Sequence, residues 1–255
     1  MPWNPEVYNQ FKSIRFQPFF DLIDLIEHKR EMKAVDLGCG TGEQTAILAR
    51  RFEDARFLGI DSSASMLAAG PGTTERLNFR QSSTEEWLQE APTWDLVFSN
   101  AALQWSEDHK NLFPQLIGKL NPGGQLAVQM PYQPGNVLNQ LLAELAGEGP
   151  YQSQLKNWNR PSSVLTLDEY AQILFENGLK DMQLFQKIYP IIAEDSDTLF
   201  RFISGSALIP YLERLSEEQG EVFQAAFKKK IALAFPRFPA IYAFKRLLIY
   251  GRRAD

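Results

Sequence analysis

The stretch Val35-Asp36-Leu37-Gly38-Cys39-Gly40-Thr41-Gly42 decides the predicted fold. It overlaps the short apolar run 34–37, which is typical of a buried strand, and it leads into residues 42–52, whose apolar spacing predicts a helix. Glycines at alternate positions let the chain turn tightly and let a ligand contact the backbone. The stretch therefore predicts a strand, a ligand-binding turn and a helix in succession.

The chemistry of this turn favours an amine-bearing nucleoside over a dinucleotide. A dinucleotide-binding turn has the spacing G-x-G-x-x-G, and here the third glycine, Gly42, comes one position early. Asp36 would repel a pyrophosphate, but it would attract the cationic α-amino group of S-adenosylmethionine. We therefore expect S-adenosylmethionine to contact Asp36, Gly38 and Gly40. The alternative is that the Asp36 carboxylate serves only its own loop.

A second group of candidate cofactor residues follows the next predicted strand. Asp61 ends that strand, 21 residues after Gly40, where a carboxylate can accept hydrogen bonds from both ribose hydroxyls. We place the neighbouring Ser62 in the same site. Met66, in the helix that follows, is expected to pack against the adenine.

The rest of the chain alternates strands with helices, which indicates an α/β protein with a mainly parallel sheet and helices on both faces. Further strands are predicted at 57–61, 77–79, 94–99, 125–130, 182–189 and 243–250. Between the last two lies a mostly helical stretch. We divide the chain into an N-terminal helical lid (1–30), a core (31–192 with 241–255) and a helical insertion (193–240) over the substrate.

Composition narrows the class of protein. The chain has 255 residues, 44% of them hydrophobic and 22% charged, with a net charge of −5 and one cysteine. The acidic balance disfavours a nucleic-acid partner. No apolar run approaches a membrane span, and no signal peptide is recognised, so no membrane partner and a cytoplasmic location are expected. The lysines at 228–230 are interpreted as a solvated helix face.

The segment Asp36 to Gly42 resembles the signature of class I S-adenosylmethionine-dependent methyltransferases. That resemblance implies a Rossmann-like sheet of seven strands in which the last strand, predicted at 243–250, is antiparallel. It also implies S-adenosylmethionine as cofactor and S-adenosylhomocysteine as product.

Other segments are similar to the trans-aconitate 2-methyltransferase family, nearly from end to end. The similar pieces are Trp3-Asn4-Pro5, Gly59 to Ser63, Asn100 to Trp105, Asp108-His109, Leu120 to Pro122, Leu126 to Pro131 and Arg246 to Arg253. This resemblance implies methyl transfer to a carboxylate oxygen of a small aliphatic acid. A carboxylate is ionised at pH 7, so no catalytic base is expected. The enzyme is expected to accelerate methyl transfer by positioning the carboxylate in line with the methyl group. No metal site is predicted.

The narrower resemblance also implies roles for individual residues. Asn100, Gln104 and Trp105 are expected near the transferred methyl group, and Ser83 stands where related sequences often have an acid for the adenine amino group. The residues expected to bind substrate are Tyr8, Arg15, Trp105, Tyr211, Tyr242 and Arg246. Gln17 and Ile209 stand where related sequences tend to have arginine. The alternatives are a loop-ordering role for Asn100, a core-edge position for Trp105 and a surface position for Arg246.

Three other functions stay open at this point. The acceptor could be an acid bound to an acyl carrier, since the biotin-pathway methyltransferases are similar over Asn100 to Trp105. The chain could be a methyltransferase-like scaffold without turnover. Base methylation is disfavoured, because Ala101 and Ala102 follow Asn100 in place of the prolines and aromatic ring that such enzymes commonly use.

Overall fold

The computed structural model describes residues 12–254, with side chains from Phe16 onward. The strands are β1 (Lys33–Leu37), β2 (Arg56–Asp61), β3 (Leu77–Gln81), β4 (Trp94–Asn100), β5 (Leu120–Pro131), β6 (Leu179–Ala193) and β7 (Ala240–Arg253). The longer helices are α1 (Lys12–Ile23), α2 (Glu43–Arg51), α5 (His109–Gly118), α6 (Val137–Ala146), α8 (Leu167–Glu176), α9 (Ser196–Ser204) and α11 (Glu217–Ala234). The shorter ones are α3 (Ala64–Ala68), α4 (Thr84–Leu88), α7 (Tyr151–Gln154) and α10 (Ile209–Leu212).

The seven strands form one sheet in the order β3-β2-β1-β4-β5-β7-β6. Strands β1 to β5 pair in parallel, and β7 runs antiparallel to β5. The predicted α/β class and the antiparallel last strand are thereby confirmed. The strand order reverses between β1 and β4, and open α/β sheets bind ligands beyond the carboxyl ends of strands at such a point.

The central strands are buried on both faces, which explains why their sequences are continuously apolar. In β1, Ala34, Val35 and Leu37 are completely buried. The predicted strands at 34–37, 57–61, 77–79 and 94–99 each lie within an observed strand.

Strand β5 is longer than the predicted 125–130, because it also contains the Asn121-Pro122-Gly123-Gly124 segment. The composition of that segment is typical of a turn. The pairing of β4 with β5 shifts register there, since Trp94 pairs with Leu120 but Leu96 pairs with Gln125. The turn residues are thus absorbed into a bulge, where extra residues on one strand increase its bend.

Pro18 lies inside α1. A proline inside a helix removes one backbone hydrogen bond, at a cost of about 3 kcal/mol. Pro18 is buried, and Phe19 and Leu22 beside it are completely buried. Burial of these apolar side chains offsets the cost.

The sequence analysis did not identify four features: helices α4, α7 and α10 and the full length of β6. Short helices carry too few residues for a helical period to stand out. Strand β6 lies at the sheet edge, and most of its side chains are exposed or half-buried, so it lacks the apolar run of a central strand.

The chain forms two compact units. The sheet unit comprises Gln17–Pro131, Ser163–Lys187 and residues 246–254. The helical unit comprises Tyr132–Ser162, Ile188–Lys245 and residues 12–16. Its own core contains buried side chains of α6, α9, α11 and β7, among them Leu142, Phe202 and Phe227. In residues 12–254, no helix is both long and apolar enough to cross a membrane.

The lysines of α11 lie on the surface of the helical unit. Lys228 pairs with Asp197 at 3.0 Å, and Lys230 pairs with Glu148 at 2.7 Å. Lys229 is exposed. This arrangement is a solvated helix face with surface ion pairs.

Candidate active site

The glycine turn of the sheet unit has a backbone that only glycine adopts readily. Gly38, Gly40 and Gly42 have φ angles of 70°, 60° and 78°, all in the left-handed region. The Gly38 and Cys39 amides both donate to the Ile60 carbonyl, each at 2.9 Å. A Cβ atom on Gly38 would lie 2.2 Å from the Cβ of Ala102. The turn is therefore fixed against β2 and against the loop after β4.

Asp36 lies directly before this turn and is 3% exposed. Its Oδ2 accepts a hydrogen bond from the Thr45 hydroxyl at 2.6 Å. Burial raises the pKa of Asp36 to about 7, the Thr45 hydrogen bond lowers it, and the charge of Asp61 raises it. This hydrogen bond is the local role that the alternative interpretation of Asp36 requires, and contact with the cofactor stays a prediction.

Asp61 ties the turn to the loop after β2. Its Oδ2 accepts from the Gly40 amide and its Oδ1 from the Ser63 amide, both at 2.9 Å. A carboxylate has about four lone-pair sites, so each oxygen can accept another donor. Asp61 is half-buried, and its contact with the ribose hydroxyls stays a prediction.

Ser62 and Met66 follow Asp61 in the chain. The Met66 Cε atom lies 3.3 Å from where a Cβ on Gly40 would be, so its half-buried side chain covers the backbone of the turn. Ser62 is exposed, and its carbonyl accepts from Gln81 at 3.1 Å. Ser63 caps helix α3.

Ser83 caps helix α4, an element that the sequence analysis did not identify. Its hydroxyl accepts from the Glu86 amide at 3.1 Å, and its own amide donates to the Glu86 carboxylate at 2.8 Å. This reciprocal pair is a capping box, and the Ser83-Thr84-Glu85-Glu86 sequence is its signature. Recognition of the adenine amino group by Ser83 stays a prediction.

The loop after β4 holds the residues expected near the transferred methyl group. Asn100 ends the strand and donates to the Gln44 side chain at 2.9 Å. Its Oδ1 is buried, with no hydrogen-bond partner in residues 12–254. Gln104 is buried and donates to the Ala101 carbonyl at 2.7 Å. Trp105 is 50% exposed, and its place near the transferred methyl group stays a prediction.

The His109 ring contacts the loop after β4. Its Nε2 lies 2.8 Å from the Leu103 carbonyl, and its Nδ1 lies 2.5 Å from the Tyr170 hydroxyl. Burial lowers the pKa of His109, which favours the neutral ring. In the turn itself, burial and the two nearby aspartates raise the pKa of the half-buried Cys39 thiol, which disfavours the reactive thiolate.

Arg246 is buried, so the alternative of a surface strand-edge position is wrong, and its contact with substrate stays a prediction. It is 6% exposed, lies opposite Pro131 on β5, and donates to Gln129 Oε1 at 3.0 Å. Gln129 is completely buried and pairs with Asn100 across the sheet. Its Nε2 has no hydrogen-bond partner within the described part of the chain. A buried cation and an amide donor thus lie beside the β4 end.

The remaining predicted substrate residues are Tyr211, Tyr242, Tyr8 and Arg15. Tyr211 and Tyr242 belong to the helical unit and are 3% and 1% exposed. The Tyr211 hydroxyl donates to Asn159 at 2.8 Å, and the Tyr242 ring packs on Phe202 at 5.7 Å between centroids. Tyr8 and the side chain of Arg15 lie outside the described residues.

The residues of the sheet unit fit S-adenosylmethionine. The left-handed glycines keep the turn free of side chains, Asp61 retains acceptor capacity for ribose hydroxyls, and the buried Asn100 Oδ1 offers an acceptor for an amine. Gln44 and Gln129 were not identified from the sequence, because a glutamine in a helix or strand carries no distinguishing pattern.

The comparisons with known proteins agree with this geometry. The family described as a methyltransferase domain matches residues 34–124, from β1 into β5. The trans-aconitate 2-methyltransferase of Deinococcus radiodurans is 40% identical over 262 residues, covering 100% of both chains. The protein of the same name from Variovorax paradoxus is 30% identical over 257 residues, covering 99% of each chain.

Solved structures share the fold. The YcgJ protein of Bacillus subtilis superimposes with a TM-score of 0.60 at 18% identity, covering 94% of this chain and 99% of that one. Phosphoethanolamine N-methyltransferase 2 of Haemonchus contortus, in complex with S-adenosyl-L-methionine, gives a TM-score of 0.56 at 17% identity, covering 94% and 52%. At these identities the likeness shows a Rossmann-like methyltransferase fold.

Similarity to the named relatives extends over the whole chain and is not confined to the glycine turn. The chain is therefore an S-adenosylmethionine-dependent methyltransferase of class I and belongs to the trans-aconitate 2-methyltransferase family.

Proposed function

We propose that this enzyme methylates a carboxylate oxygen of a small polycarboxylic acid, with trans-aconitate as the expected substrate. The observation that carries the proposal is the buried Arg246, hydrogen-bonded to Gln129 at the carboxyl end of β5. Gln129 holds this guanidinium in place, and the planar arginine fork matches the geometry of a carboxylate. The names of the full-length relatives support the choice of acid.

In this proposal, side chains of the protein position the acid and remove water from around it. An arginine can hold one carboxylate through two parallel hydrogen bonds. The Gln129 Nε2 group is buried beside it and can donate to the same anion. Bound S-adenosylmethionine supplies a methyl group activated by its sulfonium charge and leaves as S-adenosylhomocysteine. Since the acid is already ionised at pH 7, alignment and exclusion of water account for the catalysis.

Trp105 and Asn100 have supporting roles in this proposal. The half-exposed Trp105 ring can cover a bound acid and exclude water from it. Asn100 is held by Gln44, so its buried Oδ1 has a defined position towards the cofactor. We assign both as positioning residues, because neither supplies or removes a proton.

The test is release of S-adenosylhomocysteine across a panel of mono-, di- and tricarboxylic acids, with the ester identified by mass. We expect the highest kcat/KM for trans-aconitate and a mass increase of one methyl group. A monoacid that is methylated while trans-aconitate is inert would contradict the choice of substrate. A carrier-bound acid that outcompetes every free acid would favour the acyl-carrier alternative, and failure to bind S-adenosylmethionine would favour a scaffold.

A further inference from the structure

The loop after β4, residues 101–108, has a left-handed backbone at both of its ends. Ala101, directly after the strand, has a φ of 55°, and Asp108, directly before α5, has a φ of 48°. This region is disfavoured for residues other than glycine, and alanine has no polar side chain to compensate the strain. Such conformations persist only where the surrounding structure holds them, and they are concentrated at functional sites. The loop therefore needs contacts that fix it.

The buried ring of His109 supplies one of these contacts. His109 is 1% exposed, and its Nε2 lies 2.8 Å from the carbonyl oxygen of Leu103. Leu103 begins a short 3-10 helix between the two strained residues. A carbonyl oxygen is only an acceptor, so Nε2 carries the proton and donates it. The ring thus holds the middle of the loop through a backbone group.

Tyr170 of α8 fixes the orientation of this ring. Tyr170 is completely buried, and its hydroxyl lies 2.5 Å from His109 Nδ1. Because burial lowers the pKa of His109, the neutral ring is favoured and Nδ1 accepts the hydroxyl proton. The same hydroxyl oxygen accepts from the Leu165 amide at 3.1 Å. The Met130 Sδ atom, 3.9 Å from this oxygen, is a much weaker acceptor.

The loop held in this way carries the residues that we expect beside the transferred methyl group. Gln104 and Trp105 lie in the same short helix as Leu103, and Asn100 ends β4 directly before the loop. Methyl transfer requires close alignment of the two reacting atoms, so the rate falls steeply when the groups around them are displaced. All of these contacts lie within the sheet unit.

We infer that His109 and Tyr170 form a clamp that holds the loop after β4 in the geometry that methyl transfer requires. Both are positioning residues, because they act on the loop through the Leu103 carbonyl and not on the acid or the cofactor. The inference rests on the proposed function, which places this loop at the reacting groups. It adds that two buried residues of α5 and α8 control the rate.

The test compares two substitutions that make the same chemical change in the same unit. Tyr170→Phe removes the hydroxyl that orients His109. The matched control, Tyr250→Phe, removes another buried hydroxyl, which donates to Gln125 Oε1 at 2.9 Å. Gln125 pairs with Leu96 near the start of β4, whereas the clamped loop follows the end of that strand. A purely structural role for Tyr170 therefore predicts similar effects in both variants.

Activity is measured at saturating S-adenosylmethionine with the acid that the wild-type enzyme methylates fastest. A displacement of about 1 Å can cost on the order of 100-fold in rate, so Tyr170→Phe and His109→Leu should lower kcat about 10- to 100-fold. Tyr250→Phe should keep the wild-type kcat, even where its unfolding midpoint falls as far. S-adenosylhomocysteine affinity should be unchanged in all three, because the Ile60 carbonyl holds the glycine turn.

Two further measurements separate positioning from stability. His109→Gln can donate a side-chain N–H to the Leu103 carbonyl in place of Nε2, so it should recover most of the kcat that His109→Leu loses. Hydrogen exchange of the amides at 101–108 reports on the loop without turnover. These amides should exchange faster in folded His109→Leu and Tyr170→Phe, but not in Tyr250→Phe.

Wild-type kcat in folded Tyr170→Phe would overturn the inference, and so would equal losses of kcat in Tyr170→Phe and Tyr250→Phe. Unchanged exchange of the loop amides in folded Tyr170→Phe would also overturn it. These outcomes decide the matter even where His109→Leu does not fold. The proposed function fails separately, if the wild-type protein forms no ester from any acid, and the exchange measurement still tests the clamp in that case.

Discussion

Thr45 on α2 and Asp36 on β1 are joined by a buried hydrogen bond of 2.6 Å. This bond connects the strand before the glycine turn to the helix after it, so the turn is closed from both sides. The carboxylate is nevertheless a costly group at this position, because burial opposes its ionisation.

The raised pKa of Asp36 predicts a pH-dependent stability of the cofactor-free protein. The carboxyl has an ordinary pKa of 3.8 and one of about 7 when folded. Between these values the folded state binds more protons than the unfolded state, so the free energy of unfolding should fall as pH rises through this window. The steepest slope that one group can cause is about 1.4 kcal/mol per pH unit. Urea unfolding at pH 5 and pH 8 measures the effect.

The matched variant is Asp36→Asn, which keeps the shape but cannot ionise. We expect its stability to vary less with pH than that of wild type across the same window. An equal slope in both proteins would show that Asp36 does not titrate as its burial implies.

Substitution of Gly38 tests the left-handed backbone conformation of the turn. In Gly38→Ala the new methyl group would meet Ala102 at 2.2 Å, at a φ of 70°. The left-handed conformation alone costs about 1–2 kcal/mol for a non-glycine residue, and the contact adds to it. We expect the free energy of unfolding to fall by at least this amount and cofactor affinity to be lost.

Gly72→Ala is the control for that variant, because nothing lies within 4 Å of a Cβ at this position. Its stability should stay within about 0.5 kcal/mol of wild type. If the two variants behaved alike in urea titrations, the close approach of Gly38 to Ala102 would be refuted.

Asp61 should be required for cofactor binding. In Asp61→Ala the Gly40 and Ser63 amides lose their acceptors, and the acceptor for ribose hydroxyls is removed. We expect S-adenosylhomocysteine affinity by calorimetry to fall about 10- to 100-fold, as for loss of hydrogen bonds to a charged group. Glu53→Gln changes an exposed carboxylate in the same unit and should have no effect. Retained affinity in the Asp61 variant would place the ribose elsewhere.

Substitution of Arg246 should weaken binding of the acid and leave binding of the cofactor unchanged. Arg246→Lys keeps the charge but loses the fork that reaches Gln129, so KM for trans-aconitate should rise about tenfold or more while S-adenosylhomocysteine affinity is unchanged. Gln129→Leu removes the buried amide and should raise KM in the same direction. An unchanged KM in both variants, with a normal unfolding midpoint, would remove these residues from the acid site.

Much of the cofactor turn could be predicted because it is local in sequence. The left-handed turn at Gly38 follows from residues that are neighbours in the chain, and Asp61 follows the next apolar run. Ser83 was predicted to lie near the adenine amino group, but its Ser-x-x-Glu capping signature was not recognised as the start of a helix. That signal was available from the sequence.

The surroundings of Arg246 and Arg160 could not be predicted in this way. Arg246 was predicted to bind substrate, with a surface position as the alternative, but its burial beside Gln129, 117 residues away in the chain, was not predicted. Arg160 meets Tyr211 across 51 residues. Neither pair has a local pattern, because each forms only when distant elements pack.

The amino-acid sequence by itself determined the strand-turn-helix at residues 34–52 and the parallel sheet, since hydrophobic period and glycine conformation act over a few residues. Only the tertiary structure decided which polar side chains are buried and what they contact. Burial depends on packing between remote segments, and burial is what makes a single arginine or aspartate costly enough to need a partner.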